Sequence, residues 1–211
     1  MRMLCDAAQG FGATLDGRRT GGFGDATATS FFPAKPLGCY GDGGAIFTDD
    51  ESLADTLRSL RVHGQGTNKY DNVRIGLNAR LDTVQAAVLL EKLAIFPDEI
   101  DARQEVAQRY EALLGNQVIV PRVIGGATSV WAQYTIQVDD REAVRASCAA
   151  ADVPTAVYYP APLSAQTAYG EFATIEAPVS ARLSRNVLSL PMHPYLEPAT
   201  QETIAEAVKA G

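Results

Sequence analysis

The sequence predicts an α/β fold built from alternating strands and helices that pack in layers. Two observations support this fold class: short apolar runs are bounded by glycine and proline, and leucines recur at helical spacing between them. A third is a long helical stretch near the middle of the chain, after which a smaller α+β region follows. With 211 residues, of which 46% are hydrophobic and 20% charged, the chain can bury a substantial core.

Two short strands are predicted in the first region, at residues 26–31 and 44–48. Both are rich in apolar or β-branched residues, and both are bounded by turn-forming residues. The segment between them carries Lys35, which is flanked by Pro33 and Pro36. We therefore expect the amine of Lys35 to lie at the end of a strand.

The helices of this region are predicted from their caps and their apolar spacing. Thr48 and Glu51 have the spacing of a capping box, and the leucines after them recur at helical intervals. Asp82 opens a second, more apolar helix, which Pro97 is expected to interrupt before a further helix reaches Leu114. The last two helices together form a long, bent bridge to the second region.

The second region is predicted to mix strands and helices. Residues 130–138 alternate between apolar and polar side chains, as in a half-buried strand, and a Gly/Thr/Ser patch at 125–129 precedes them as a candidate linker. The remaining elements are a helix at 141–151, short strands at 153–159 and 187–190, and a last helix at 200–209.

Charge and cysteine content exclude several classes of function. A net charge of −7 disfavours nonspecific binding to nucleic acid or to anionic membranes, since both depend on a basic surface. The 3 cysteines are widely spaced and outside any CxxC pattern, so neither a disulfide framework nor a metal site is predicted. No apolar run approaches the ~20 residues of a membrane span. We expect a cytoplasmic protein that acts on a small molecule.

Several short motifs along the chain carry a resemblance to one known family. They are Asp6-Ala7-Ala8-Gln9, residues 30–38, Gly41-Asp42-Gly43-Gly44, Arg61-Val62-His63-Gly64, residues 76–82, Tyr159-Pro160 and residues 188–193. Through them the chain resembles the DegT/DnrJ/EryC1/StrS sugar aminotransferases, which belong to fold type I of the pyridoxal phosphate enzymes. The resemblance runs from Asp6 nearly to the C-terminus.

The resemblance implies the C-terminal part of a fold type I transferase. It divides the chain into a partial large cofactor-binding domain at 1–96, a helical bridge at 97–124 and a small α+β domain at 125–211. In the family, the motif at Asp6 falls in the middle of the large domain, so we expect the front half of that domain to be absent. Parallel strands are normally covered on both faces, and another chain would have to cover those exposed here.

The same resemblance implies pyridoxal 5′-phosphate as the cofactor. Lys35 would condense with the cofactor aldehyde and later move a proton, and its apolar neighbours would disfavour the protonated amine. Asp6 would keep the pyridine nitrogen protonated, and Gln9 would contact the ring or its hydroxyl. Taken without the resemblance, Lys35 can also be a solvated loop lysine, Asp6 a helix N-cap and Gln9 an exposed helix residue.

Two further cofactor contacts are implied. Ser30 would donate its hydroxyl to the cofactor phosphate, and Asn78 would reach the phosphate from the partner subunit of a dimer. Without the neighbouring motifs, Ser30 is a strand-end serine and Asn78 a turn residue. Arg80, near this shared site, would fork onto an acidic group of the substrate or would pair with Asp82 at the start of a helix.

Substrate contacts in the second region are implied at Tyr158 and Tyr159. Tyr159 matches the family, whereas Tyr158 stands where histidine is common. The contacts to the sugar therefore depart from the family pattern, while the cofactor contacts do not.

The implied function is pyridoxal-phosphate-dependent transamination of a nucleotide-linked keto sugar, with an amino acid such as glutamate as donor. Sugar dehydratases of the same family carry histidine in place of the lysine, so Lys35 favours the aminotransferases. The alternative is a truncated, non-catalytic relative that acts as an interaction or regulatory subunit. The expected partners are the two substrates, together with a second copy in a homodimer or a complementing N-terminal fragment.

Overall fold

The computed structural model describes residues 1–172 and 176–211 and divides the chain into two compact units. The first unit consists of Met1–Ile100 and Val123–Ala132, and the second of Asp101–Arg122 and Gln133–Gly211. The chain therefore leaves the first unit, returns to it for a short stretch, and leaves it again.

The strands of the first unit form two small sheets. In chain order these strands are β1 (Leu4–Asp6), β2 (Thr14–Leu15), β3 (Arg18–Arg19), β4 (Ala26–Ser30), β5 (Gly44–Phe47) and β6 (Ala127–Thr128). One sheet has the order β1-β4-β5, in which β1 runs parallel and β5 antiparallel to β4. The other has the order β3-β2-β6, with antiparallel pairing throughout. The strands predicted on either side of Lys35 are thus confirmed as β4 and β5.

The core of the first unit is built around aromatic rings. Phe11 stacks on Phe47 and on Phe96, with ring centroids 5.6 and 6.1 Å apart, and meets the ring of Phe31 edge-on. Leu37 and Leu89 belong to the same buried cluster. Burying such large apolar side chains supplies the main stabilisation of the unit.

Helix α1 (Glu51–Leu60) begins where the sequence predicts a helix, but its cap is a different residue. The side chain of Asp50, and not that of Thr48, accepts the backbone N–H of Leu53 at 3.1 Å. The hydroxyl of Thr48 instead donates to the carbonyl of Asp25 at 2.7 Å. The prediction of Thr48 as the cap is therefore wrong, because a tertiary contact uses its hydroxyl.

Helix α2 (Thr83–Leu114) runs through Pro97 as one helix. The prediction that Pro97 would interrupt it is therefore wrong. A proline inside a helix costs about 3 kcal/mol, because it removes one hydrogen bond and crowds the preceding turn. Packing on both sides offsets this cost, since Phe96 is buried in the first unit and Val106 in the second.

The second unit pairs two strands and adds three further α-helices within its described residues. These elements are α3 (Arg141–Ala150), α4 (Pro178–Asn186), α5 (Pro198–Lys209), β7 (Tyr134–Gln137) and β8 (Val187–Leu190), with β7 antiparallel to β8. The strand predicted at 130–138 is shorter than expected. The strand predicted at 153–159 is reduced to a single bridge between Ala156 and Ser189. The patch at 125–129 is not a bare linker, because it contains β6.

Polar contacts anchor α5 within the second unit. Gln201 is fully buried and accepts a hydrogen bond from Arg109 at 2.6 Å while its amide donates to the carbonyl of Val106 at 2.8 Å. The rings of Tyr110 and Tyr134 pack nearby with centroids 4.8 Å apart, and burial raises the pKa of both phenols well above the ordinary value. Across the described ranges, none of the helices carries an apolar stretch sufficient to cross a lipid bilayer.

Candidate active site

Two of the residues expected to bind the cofactor lie at one edge of the main sheet of the first unit. Asp6 is the last residue of β1 and Ser30 the last of β4. Because β1 and β4 are parallel neighbours, their carboxyl ends lie at the same edge. The backbone N–H of Ala7 donates to the carbonyl of Ala28 at 2.8 Å, and the Thr29 hydroxyl donates to the carbonyl of Ala7 at 3.0 Å. These bonds fix the segment after Asp6 beside the end of β4.

Lys35 lies on the segment that follows Ser30 directly. We call residues 31–43 the lysine loop. Its two ends meet, since the N–H of Phe31 donates to the carbonyl of Gly43 at 2.7 Å. The N–H of Lys35 donates to the carbonyl of Phe32 at 2.8 Å, which makes a tight turn at the lysine. Lys35 is half-buried, and the next two residues, Pro36 and Leu37, are buried.

The interior of the lysine loop is closed by two small residues. Cys39 is fully buried, and its N–H donates to the carbonyl of Phe31 at 2.8 Å. Its thiol sulfur lies 3.1 Å from the same carbonyl oxygen and 3.0 Å from the carbonyl oxygen of Gly41. Gly38 fits against the start of the loop so closely that a Cβ there would lie 2.7 Å from the carbonyl oxygens of Phe32 and Pro33. Only glycine is accommodated at this position, and the loop is a compact turn.

Asp6 and Gln9 lie on a short turn at the end of β1. One carboxylate oxygen of Asp6 accepts the N–H of Ala8 at 2.9 Å, and the N–H of Gly10 donates to the carbonyl of Ala7 at 3.0 Å. The carboxylate thus caps a turn and not a helix, and both Asp6 and Gln9 remain exposed. The local bond fixes the direction of the carboxylate.

Asn78 and Arg80 lie on another segment of the first unit, which pairs with the end of α1. Asn78 forms an antiparallel bridge with Val62, and the N–H of Ala79 donates to the carbonyl of Arg61 at 2.9 Å. The side chains of Asn78 and Arg80 are exposed. Arg80 and Asp82 both belong to the described part of the chain, and no ion pair joins them there.

Tyr158 and Tyr159 belong to the second unit. They are 43% and 62% exposed, and their ring centroids are 5.6 Å apart. Two adjacent exposed rings of this kind can bind the face of a sugar or a base. Asp6, Ser30 and Lys35 thus lie at one edge of the first unit, whereas the two tyrosines belong to the second unit.

The lysine loop has anchors on α2 that sequence reasoning did not assign to the site. The N–H of Tyr40 donates to the side-chain oxygen of Gln85 at 2.8 Å, and the ammonium group of Lys92 donates to the carbonyl of Gly38 at 2.5 Å. Leu89, between them on the same face of the helix, packs in the buried cluster. The helical spacing of these positions was visible in the sequence, but their contacts with a loop over 40 residues earlier were not.

A cavity of about 840 Å³ lies elsewhere in the first unit, beside β5 and α1. Its lining includes Thr29, Ala45, Leu57 and Arg58. Asp6, Ser30 and Lys35, all within the described ranges, do not line it. We place the candidate site at the sheet edge because the chemical groups converge there.

The groups at this edge suit pyridoxal phosphate. The cofactor has a pyridine nitrogen, a phosphate and an aldehyde, and the edge offers a carboxylate with a fixed direction, a hydroxyl at a strand end and a half-buried amine. Each group on the protein has a chemically matching group on the cofactor. The residues at this edge therefore fit the cofactor.

Comparison with known proteins agrees with this description. The sequence model of the DegT/DnrJ/EryC1/StrS aminotransferase family matches residues 1–209. The chain is 50% identical over 204 residues to the UDP-2-acetamido-2-deoxy-3-oxo-D-glucuronate aminotransferase of Pseudomonas aeruginosa, which covers 96% of this chain and 56% of that protein.

Solved structures show the same fold. A DegT DnrJ EryC1 StrS aminotransferase from Brucella abortus has a TM-score of 0.95 at 52% identity, over 98% of this chain and 56% of that one. DesV of S. venezuelae, solved in complex with a ketimine intermediate, has a TM-score of 0.94 at 36% identity, over 99% of this chain and 57% of that one.

The fold class is thus confirmed as that of the fold type I pyridoxal phosphate transferases. The chain belongs to the DegT/DnrJ/EryC1/StrS aminotransferase family, as its motifs indicated. It spans a little over half the length of the curated relatives that it matches, 56% in the case of the Pseudomonas aeruginosa protein.

Proposed function

We propose that this chain carries the cofactor-binding and proton-transfer residues of a pyridoxal-phosphate-dependent aminotransferase that acts on a nucleotide-linked keto sugar. The observation that carries the proposal is the convergence of Asp6, Ser30 and Lys35 at one edge of a sheet. The 50% identity to an aminotransferase named for a UDP-linked 3-oxo sugar supports the choice of substrate class.

In this proposal each residue at the edge has a defined role. Lys35 would hold the cofactor through a bond from Nζ to its aldehyde carbon, and the same amine would carry the proton that the substrate carbon releases. Asp6 would accept a hydrogen bond from the protonated ring nitrogen, Ser30 would donate to the phosphate, and Gln9 would contact the ring or its hydroxyl. When bound, pyridoxal phosphate supplies an electron sink for the pair released at the substrate carbon.

The net reaction moves one amino group. An amino acid such as glutamate gives up its amine and leaves as the corresponding keto acid, and the sugar ketone receives that amine and leaves as an amino sugar. Arg80, Tyr158 and Tyr159 are the proposed contacts to the nucleotide sugar. Arg80 suits an acidic group, since its guanidinium forms two parallel hydrogen bonds with a carboxylate or phosphate.

A second polypeptide is part of the proposal. Asn78 is proposed to reach the phosphate of a partner copy in a homodimer, with a complementing N-terminal fragment as the further candidate partner. Exposed apolar side chains support a covering chain: Leu4 on the edge strand β1 is 73% exposed, and Ile46 on the opposite edge strand is 51% exposed. The cytoplasm is the proposed location.

The test is chemical trapping of the amine. The 211-residue chain is incubated with pyridoxal phosphate and reduced with borohydride, and the modified lysine is mapped by mass spectrometry. We expect the adduct on Lys35 and its loss in Lys35→Ala. Lys69→Ala is the matched control, since this exposed lysine lies outside the edge and its removal should leave the adduct unchanged.

The same measurement addresses the alternative function as an interaction or regulatory subunit. An adduct distributed over several lysines, or one that persists in Lys35→Ala, would contradict the enzymatic proposal. A chain with no adduct on Lys35 but a stable complex with a second polypeptide would favour the non-catalytic alternative.

A further inference from the structure

We propose that Gln85 and Lys92, both on α2, are positioning residues that hold the lysine loop and thereby aim the amine of Lys35. We call this pair the loop clamp. The inference rests on the proposed function, in which Lys35 is the reactive amine. The clamp residues themselves touch the loop backbone and have no role in bond making.

The loop clamp forms hydrogen bonds with two backbone atoms in the C-terminal half of the lysine loop. The side-chain oxygen of Gln85 accepts the N–H of Tyr40 at 2.8 Å, and the ammonium group of Lys92 donates to the carbonyl of Gly38 at 2.5 Å. The second bond is charge-assisted and is therefore the stronger type. The Lys92 ammonium group also lies 5.8 Å from the centroid of the Tyr40 ring, so two favourable contacts define its place.

Contacts within the compact loop transmit the restraint on residues 38–40 to Lys35. Cys39, between the two clamped residues, is bonded to Phe31 through its N–H, and its thiol lies within hydrogen-bond distance of the carbonyls of Phe31 and Gly41. Gly38 abuts the carbonyls of Phe32 and Pro33, so residues 38–40 cannot shift without displacing the start of the loop. Lys35 lies between these two parts and is bonded to Phe32.

Apolar packing holds the loop to the helix but does not by itself select one position. Leu37 and Cys39 pack in a cluster with Leu89 and Phe96 of α2. Such contacts are non-directional, and they tolerate small displacements. Hydrogen bonds at defined angles add the directional restraint, and a displacement on the order of 1 Å is sufficient to impair a reacting group.

Two variants remove the clamp with little change of volume. Gln85→Leu removes the acceptor for Tyr40, and Lys92→Met removes the donor to Gly38. Gln85→Glu retains an acceptor oxygen and is the conservative rescue. Glu91→Gln, at an exposed neighbouring position on the same helix, is the control.

The first measurement is hydrogen exchange of the loop amides without cofactor. Loss of one hydrogen bond of about 1 kcal/mol corresponds to about fivefold faster exchange at Cys39 and Tyr40 in Gln85→Leu and in Lys92→Met. In both clamp variants, exchange of the α2 amides should be unchanged. In Glu91→Gln, exchange of the loop amides should equal that of the parent chain. Equal loop exchange in the two clamp variants and in the parent chain would overturn the inference.

The second measurement is the concentration of pyridoxal phosphate that gives half-maximal trapping on Lys35. We expect it to rise about fivefold in each clamp variant and to return to within about twofold of the parent in Gln85→Glu. An unchanged value in both clamp variants would show that the clamp does not aim the amine. If the parent chain forms no adduct on Lys35, the proposed function fails, and the exchange measurement alone then decides whether the clamp holds the loop.

Discussion

Gly76 crosses Gly64 so closely that a Cβ on Gly76 would lie 2.0 Å from the backbone nitrogen of Gly64. The two glycines mark the base of an excursion from residue 64 to residue 76. Beside the crossing, the N–H of His63 donates to the carbonyl of Leu77 at 2.9 Å. This close approach fixes the backbone from which Asn78 projects.

Replacement of Gly76 should therefore destabilise the chain. In Gly76→Ala the methyl group collides with backbone atoms, which cannot move aside as a flexible side chain can, and we expect a loss of about 3 kcal/mol in the free energy of unfolding. Urea titration followed by circular dichroism measures it. Gly125→Ala is the control, because none of the atoms described around it lies within 4 Å of an added Cβ. Equal urea midpoints for Gly76→Ala and Gly125→Ala would contradict the close backbone approach of Gly76 and Gly64.

The buried amide of Gln201 should contribute strongly to the stability of the second unit. Gln201→Leu keeps the volume but removes the partners of Arg109 and of the Val106 carbonyl. Loss of one charge-assisted and one neutral hydrogen bond at this buried position should cost about 2 to 3 kcal/mol. Thermal and urea unfolding test this, with the exposed neighbour Glu202→Ala as control. Equal free energies of unfolding for Gln201→Leu and Glu202→Ala would show that these hydrogen bonds do not stabilise the second unit.

Acid should weaken the contact that closes the N-terminal end of β1. The N–H of Met3 donates to Asp25 at 2.6 Å and Arg2 donates to the same carboxylate at 2.9 Å, and these bonds hold the pKa of Asp25 below its ordinary value. A lowered pKa in the folded state stabilises the fold above the unfolded-state value of about 3.9, and this contribution is lost as the pH falls through the folded-state pKa.

Asp25→Asn should therefore flatten the pH dependence of unfolding below about pH 4. Urea midpoints at a series of pH values from neutral to acid measure the slope, and Asp49→Asn serves as the exposed control. An identical slope in Asp25→Asn and the parent chain would show that Asp25 does not contribute to acid sensitivity.

The carboxylate of Asp6 should matter for the reaction more than for the structure. In Asp6→Asn the amide oxygen can still accept the N–H of Ala8, so the turn should persist. The negative charge opposite the ring nitrogen is lost, and we expect a rate loss on the order of 100-fold in a single-turnover reaction with glutamate. Stopped-flow absorbance of the cofactor-loaded chain follows it. A rate within twofold or so of the Asp49→Asn control would remove Asp6 from the proposed mechanism.

The elements around Lys35 were predictable because local signals define them. Prolines and glycines bound β4 and β5, and the motifs indicate the chemistry of the loop between them. Tertiary contacts decide the features that were missed. Thr48 bonds to Asp25 instead of capping α1, and buried packing keeps α2 continuous through Pro97. The contacts of Gln85 and Lys92 join distant parts of the chain, and no local pattern announces them.

Other assignments remain predictions. The roles of all the site residues depend on substrate, cofactor or a partner chain; these residues are Asp6, Gln9, Ser30, Lys35, Asn78, Arg80, Tyr158 and Tyr159. The division into domains at 1–96, 97–124 and 125–211 likewise remains a prediction.

The return of the chain to the first unit sets an order for its folding during synthesis. β6 pairs with β2, so Thr14 must wait for Thr128 before its sheet is complete. A ribosome that adds ~5–20 residues per second would leave β2 without this neighbour for roughly 6 to 23 seconds. Through that interval β2 and β3 form only a bare hairpin, and such ribbons are marginal in water. A nascent chain arrested before residue 127 should consequently show this edge accessible to chaperones, and one arrested well beyond it should not.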